Sequence, residues 1–457
     1  MDCTAPGRPS SPEIGLYQVR TIHFVMAGKS VAVIGLGHVG LPLACALADS
    51  GLRTTGVEAD ERKVRLVNKG TSPLRGREPG LEEILRRVVS SGTLIATSDP
   101  SECSRADAIF VCVETPIDEY KNPVLDPLTH ALAQVGRSLR KGCLVSVEST
   151  IPPGTMLGKV LPILEKESGM RAGRDFSVVH CPERVMPGVL LRNLRSYERV
   201  MGGLDDASLE KGLEFYSSIV RARIHTTDLT SAEITKTVEN AYRDVQIAFA
   251  NEVAIACEEL GADAYEVRRL VNTCPFRDMH LPGSGVGGHC VPKDPWLFVS
   301  SVVRSPTSLM ETARAVNDSM PRHLTSLVLE ALRENGRKAE ESKVTVFGLS
   351  FLRNSGDVRN SPAIPVIDAL VERSDVVVHD PFAGDAYRAP LLRDMDEALK
   401  GSDCAVFVTD HSAYSALDLE HMGNLMRTKA IVDGRNVFDS SECRRHGFVY
   451  KGIGKGK

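Results

Sequence analysis

The chain has 457 residues, 42% of them hydrophobic and 25% charged, with a formal net charge of -4. That length and apolar content give two or three domains with real cores and exclude a disordered or fibrous chain. The near balance of charge offers no basic field to nucleic acid or an acidic membrane, so an anionic ligand needs a local site.

Residues 1-28 read as an N-terminal extension without the apolar stretch of a secretory signal. No later apolar run reaches the roughly 18 residues of a membrane span, and a cytoplasmic protein is expected. From residue 29, strand-like segments SVAVIG, RTTGVE, ADAIFVCV, CLVSVES and FSVVH alternate with helical stretches at 38-50, 60-68, 80-91 and 126-140. That alternation predicts a parallel sheet with helices on both faces over 29-225. Residues 229-261 carry apolar side chains at helical spacing, have no internal Gly or Pro, and stop at Gly261. They predict one long helix inside a central helical domain, 226-322. Its apolar positions exceed what one face of a monomer's surface helix buries, which points to a homodimer or a higher homo-oligomer.

After Lys343 the pattern restarts, KVTVFGLS echoing SVAVIGLG and SDCAVFVTD echoing RADAIFVCV, so residues 323-457 form a second lobe. The expected fold is α/β, two Rossmann-like doubly wound lobes joined by the long central helix and its helical middle domain. Ligands belong at the carboxyl ends of the strands and between the lobes. The eleven cysteines stand singly, without paired metal-ligand spacing, and most are expected to be reduced core residues with no metal bound.

In VAVIGLGHVGLPLACALADSG, Gly35, Gly37 and Gly40 have G-x-G-x-x-G spacing directly after a strand and opening a helix. Gly35 permits the tight turn, Gly37 lets a pyrophosphate approach the backbone, and Gly40 lets helix pack on strand. A glycine turn alone is as easily structural. Here Glu58 follows at the end of the second strand, placed to accept hydrogen bonds from a ribose diol. A carboxylate there repels a 2'-phosphate, so NAD is expected over NADP, with Arg62 and Lys63 as the nearby opposing charges.

The segment GSGVGGHCVPKDPW raises a different question at Cys290. A single cysteine is usually a small core hydrophobe. Gly287, Gly288, His289, Lys293 and Asp294 are unusual company for a core position.

Taken in order, VIGLGHVGLPLA, VETPID, ESTIPPGT, CPERVMPG, AEITKTVENAYRD and GVGGHCVPKDPW resemble the UDP-glucose/GDP-mannose dehydrogenase family. The resemblance implies oxidation of the C6 primary alcohol of a nucleotide sugar to a carboxylate with two NAD per turnover. It also implies an NAD lobe, a long helix that builds a dimer, and a second lobe for the UDP-sugar. Within the family, CPERVMPG and the His before the cysteine are similar to the branch acting on UDP-N-acetylhexosamines. UDP-N-acetyl-D-mannosamine is the expected substrate. UDP-glucose, UDP-N-acetylglucosamine and GDP-mannose are alternatives of the same class, and an inactive nucleotide-sugar binding protein is the alternative of another.

Four-electron oxidation needs a covalent step, and the family pattern makes Cys290 the thiol that adds to the aldehyde and carries the thioester. Lys293 nearby is expected to help lower the thiol pKa. Lys236 and Asn240, four apart on one helical face, match the pair that stabilises oxyanion character. Asp294 and Thr150 match residues that hold water and move a proton, and Glu183 the carboxylate that activates water against the thioester. Without the family pattern, Lys236 and Asn240 read as a solvated helix stripe.

The expected cofactor set is Gly35, Gly37, Val39, Gly40, Glu58, Lys63, Thr115, Thr150 and Arg359. The expected substrate set is Glu183, Arg184, Val185, Met186, Lys236, Asn240, Gly285, Gly287 and Arg435, with Arg277 reaching across a dimer. Arg359 and Arg435 also read as ordinary surface charges. One departure stands out: many members carry a substrate-contacting Lys where this chain has Leu352, followed by Arg353.

Overall fold

The computed structural model describes residues 28-74, 78-186 and 188-456, so the expected N-terminal extension lies outside the described residues except for Gly28. Among these, the first sheet is built from β1 (Ser30–Ile34), β2 (Arg53–Val57), β3 (Leu94–Thr97) and β4 (Ala108–Val111). It continues with β5 (Leu144–Val147), β6 (Ser177–His180), β7 (Arg199–Gly203) and β8 (Ile224–Asp228). The spatial order is β3-β2-β1-β4-β5-β6-β7-β8. Every neighbouring pair is parallel except β6 and β7. β4 and β5 are buried at every position, because helices cover both faces of the sheet.

The second sheet holds β9 (Lys343–Phe347), β10 (Asp375–His379), β11 (Leu391–Leu392), β12 (Cys404–Phe407), β13 (Ala430–Asp433) and β14 (Val449–Gly452). Its order, β11-β10-β9-β12-β13-β14, repeats that of the first six strands of the first sheet, and all its pairs are parallel. The sequence echo is therefore a structural repeat. In each sheet the order reverses at the first strand, which leaves a crevice at the carboxyl ends where a ligand can bind.

Helix α1 (Gly40–Asp49) follows the glycine turn and buries Leu41, Leu43 and Leu47 against the first sheet. Helix α2 (Leu229–Leu260) is the long central helix. It begins where the Asp228 side chain accepts from Ser231 N and ends at Gly261, whose φ of 74° is the left-handed conformation a helix stop favours. Helices α3 (Asp294–Val299) and α4 (Ser308–Glu334) pack on it. β8 runs to Asp228 and α4 runs unbroken past residue 322. The chain thus changes element at neither expected division, 225 or 322, because a strand and a helix each carry the backbone through.

Among the described residues no helix is long and apolar enough to cross a membrane. Eight of the described cysteines are buried, Cys274 is exposed, and Cys290 is intermediate.

Candidate active site

The three motif glycines have different reasons to lack a side chain. Gly35 has φ of 88°, and a Cβ there would lie 2.9 Å from the Cys112 carbonyl oxygen. A Cβ on Gly40 would lie 1.8 Å from the Gly35 oxygen. These two are required by the fold. Gly37 is not: a Cβ on it would meet nothing within 4 Å. The space above it is a cradle the protein itself leaves open, at the start of α1, where Val39 supplies no side-chain cap to the free N–H groups. Glu58 Oε2 accepts from Leu36 N at 2.9 Å and Oε1 from Asp60 N at 3.1 Å, while Lys63 Nζ stands 3.7 Å from Oε2. The carboxylate is held beside the turn, so these residues fit a dinucleotide.

The crevice above this turn is lined by Gly37, Val39, Thr115, Thr150, Glu183, Val185, Cys290, Asp294 and Arg359 from the expected sets. Thr115 donates its hydroxyl to the Thr150 carbonyl at 2.5 Å, tying the ends of β4 and β5 together. Lys236 Nζ, buried on α2, stands 3.7 Å from Glu183 Oε1. One turn on, Asn240 Nδ2 donates to Asp294 Oδ2 at 2.6 Å, and Lys293 Nζ stands 2.8 Å from Asp294 Oδ1. The carbonyl of Cys290 accepts from Lys293 N and Asp294 N at 3.0 and 2.8 Å, so the thiol loop passes directly into α3.

Burial pushes the Cys290 thiol up to about 11, helped by Asp294 and Glu183; Lys236 and Lys293 pull the other way and lose. Lys293 acts to lower the thiol pKa, as expected, but burial with Asp294 and Glu183 outweighs it, and Asp294 stands 2.8 Å from its ammonium. Burial also works against the Lys236 ammonium, but Glu183, Cys290 and Asp294 outweigh it and raise its pKa. Lys236 rests as a charged donor.

The second lobe sets the position of the thiol loop. Gly288 N donates to Arg359 O at 2.8 Å, and Asn360 Nδ2 donates to Gly288 O at 3.0 Å. A Cβ on Gly287 would lie 2.3 Å from Phe351 Cβ, so only glycine permits this approach. Gly285 and Arg435 lie farther along: Arg435 Nη2 is 3.4 Å from the Gly285 carbonyl, and its Nε donates to Val408 O at 3.1 Å. Burial lowers the Arg435 pKa.

Other expected residues stand apart. Arg184 pairs with Glu239 and donates to Glu198 O at 2.8 Å. Met186 is exposed. Arg277 is exposed too, with its guanidinium 3.3 Å from the Phe276 carbonyl, and the chain does not bring it to the thiol cluster. Leu352 is partly exposed, and Arg353 pairs loosely with Asp410 at 3.4 Å.

Several lining residues had no assigned role. His38 and Glu114 sit within quoted motifs, and Asp357 holds the Arg359 guanidinium by contacts of 2.6 to 3.1 Å. Glu148, in ESTIPPGT, forms the crevice floor: Arg199 Nη2 donates at 2.5 Å both to its Oε2 and to the Cys181 carbonyl, and Tyr216 OH donates to its Oε1. This buried arginine joins the end of β5 to the CPER turn. The signal was a carboxylate inside an otherwise small, polar motif.

Residues 29-220 match the NAD binding domain of the UDP-glucose/GDP-mannose dehydrogenase family, 230-319 its central domain, and 345-440 its UDP binding domain. The chain is 36% identical over 427 residues to a UDP-N-acetyl-D-mannosamine dehydrogenase of Pyrococcus horikoshii, covering 93% of this chain and 99% of the relative. A solved structure of that activity from the same organism superposes with a TM-score of 0.88. An NDP-N-acetyl-D-galactosaminuronic acid dehydrogenase structure from Methanosarcina mazei is 37% identical, with a TM-score of 0.83 over 93% of this chain and 95% of that one.

Proposed function

The chain belongs to the UDP-glucose/GDP-mannose dehydrogenase family of NAD-dependent enzymes, and from that premise we propose that it oxidises the C6 hydroxyl of UDP-N-acetyl-D-mannosamine to the carboxylate through Cys290. The observation that carries this reading is the crevice continuous with the glycine turn that Cys290, Glu183 and Asp294 line, with Lys236 3.7 Å from Glu183 and Asn240 donating to Asp294 beside it. The N-acetylated sugar is supported by the likeness to relatives named for N-acetyl sugars. We assign residues 29-225 to NAD, 226-322 to a dimerising middle domain, and 323-457 to the UDP-sugar.

NAD supplies the hydride acceptor for both oxidations. Thr150 and Asp294 hold water in the first, and the alcohol proton passes through that water to the Asp294 carboxylate. The Cys290 sulfur then bonds to the aldehyde carbon as its proton passes to the sugar oxygen, giving a thiohemiacetal; loss of a hydride from its carbon and of its hydroxyl proton to the water held by Asp294 leaves a thioester. The charged Lys236 and the Asn240 amide stabilise negative charge on that oxygen. Glu183 takes a proton from water attacking the thioester, which releases the acid and restores the thiol. Val185 N, donating at 2.5 Å to Glu183 Oε2, holds that carboxylate in place.

The test is a panel of nucleotide sugars with NADH absorbance as readout. Two NADH per UDP-N-acetyl-D-mannosamine, with the highest kcat/KM of the panel, are expected. A higher kcat/KM for UDP-glucose or GDP-mannose sinks the N-acetyl assignment, and a higher value for UDP-N-acetylgalactosamine moves the reading to the galacto sugar.

A further inference from the structure

We propose that His38 and His289, with Arg359, form a protonatable cradle for the diphosphate of NAD, so that binding of the cofactor takes up a proton. This rests on reading the glycine turn as the cofactor site.

His38 stands between Gly37 and Val39 in the turn, and His289 immediately precedes Cys290. The two rings come from opposite sides of the cleft and line the same crevice beside Gly37 and Arg359. Neither makes a hydrogen bond among the described residues, unlike His379 and His411, whose rings are tied to Tyr414, Ser350 and Asp380. Two imidazoles without a protein partner face an open cradle, each with one N–H to offer an acceptor.

The fixed charges leave a need for them. The Arg359 guanidinium is already held by Asp357, Lys293 by Asp294, and Lys236 faces Glu183. Glu114 and Glu148 also line the crevice, the latter answered by Arg199. A diphosphate carrying two negative charges therefore enters a site whose lysines and arginines already have carboxylate partners. The imidazoles are the groups that can add positive charge on demand.

Their surroundings set the direction. Burial lowers the His38 pKa, and Arg359 and His289 add to this against Asp357 and Glu114. Burial lowers His289 as well, with Lys293 and Arg359 against Glu114 and Asp294. Both rings are thus neutral in the free protein at pH 7, below an ordinary value of about 6.5. Phosphate charge beside them raises both values. A group whose pKa rises on binding takes up a proton, and affinity grows as pH falls from the bound value toward the free one.

The experiment is calorimetric titration of the full-length enzyme with NAD, without sugar, in buffers of different ionisation enthalpy from pH 6 to 8. Uptake of a fraction of a proton and a Kd about threefold to tenfold lower at pH 6 than at pH 8 are expected, one linked proton giving at most tenfold per pH unit. The double variant His38→Gln, His289→Gln should lose the uptake and the pH dependence. A wild-type enzyme that binds NAD without proton uptake, or a double variant that keeps it, overturns the proposal. Gly37→Val separates the two readings, since a Cβ at this position meets nothing within 4 Å and the side chain starts into the cradle. If Gly37→Val, folded by its unfolding temperature, binds NAD as the wild type does, the cofactor-site reading itself fails.

Discussion

Cys290 sits between two carboxylates and two ammonium groups, and burial decides the balance in favour of a protonated thiol at neutral pH. Alkylation of Cys290 by iodoacetamide in the ligand-free enzyme should therefore climb with pH from 7 to 10 without the plateau near 8.5 to 9 of an ordinary cysteine, about tenfold per pH unit. Peptide mass spectrometry separates it from the exposed Cys274. A plateau below pH 9 contradicts the balance described. Cys290→Ser should abolish acid production, because a serine hydroxyl is a far weaker nucleophile. Glu183→Gln should instead give a burst of about two NADH per site and then slow turnover, with the acyl group on Cys290 visible by intact mass. Near-normal steady turnover by Cys290→Ser removes the thiol from the mechanism. Reduction of NADP as fast as NAD likewise discards the role given to Glu58 and points to Lys63, 3.7 Å away, as a phosphate ligand.

The two sheets carry the same element sequence to different ends. Where β2 is followed by Glu58, β10 is followed by Asp380, and Gly348, with φ of 95°, occupies the place of Gly35. Asp380 is fully buried: it accepts from Leu349 N and Ser350 N at 2.8 Å, and from Phe382 N and Ala383 N at 2.7 and 2.8 Å. Nothing of its carboxylate is left for a ribose, so the second turn is a structural clamp. Burial opposes its charge, yet bonds from His411 and these amides hold its pKa far below the usual range. A depressed carboxyl stabilises above its unfolded pKa of about 4 and ceases to as pH falls through the folded value. Asp380→Asn should cost about 2 kcal/mol or more at pH 7, seen as a lower urea midpoint, and the gap from wild type should narrow below about pH 4. The echo between the lobes could be read in the sequence because strand, turn and glycine lie within a few residues of one another. The fate of Asp380 could not, since its partners come from two separate turns. The same holds for Arg199, whose carboxylate partner is 51 residues away in sequence and whose removal should cost about 3 to 5 kcal/mol by stranding a buried charge. His38 was hidden differently, in a motif position that tolerates any residue.

At the scale of the whole molecule, α2 leaves Tyr242 and Phe249 exposed at 63% and 59%, beside an apolar groove lined by Val238, Val245, Phe298 and Leu309. We expect a second copy to cover this face. Light scattering at micromolar concentration should report a dimer or a multiple of one, and Tyr242→Glu with Phe249→Glu should shift it toward monomer; a monomeric wild type refutes the assignment. Arg277 is exposed on its own chain, and we expect it to reach the cleft of a second copy.

The contact between Gly287 and Phe351, with the two hydrogen bonds joining Gly288 to residues 359 and 360, also bears on how such a protein can change over generations. A lobe for a new sugar cannot simply be spliced on after residue 343. The incoming lobe must carry a side chain at 351 that clears a bare glycine backbone, and a 359-360 backbone in the same register, or the Cys290 loop arrives displaced. Recombinants that trade whole lobes between distant lineages should be folded but silent unless residues 283-294 and 351-360 cross over together.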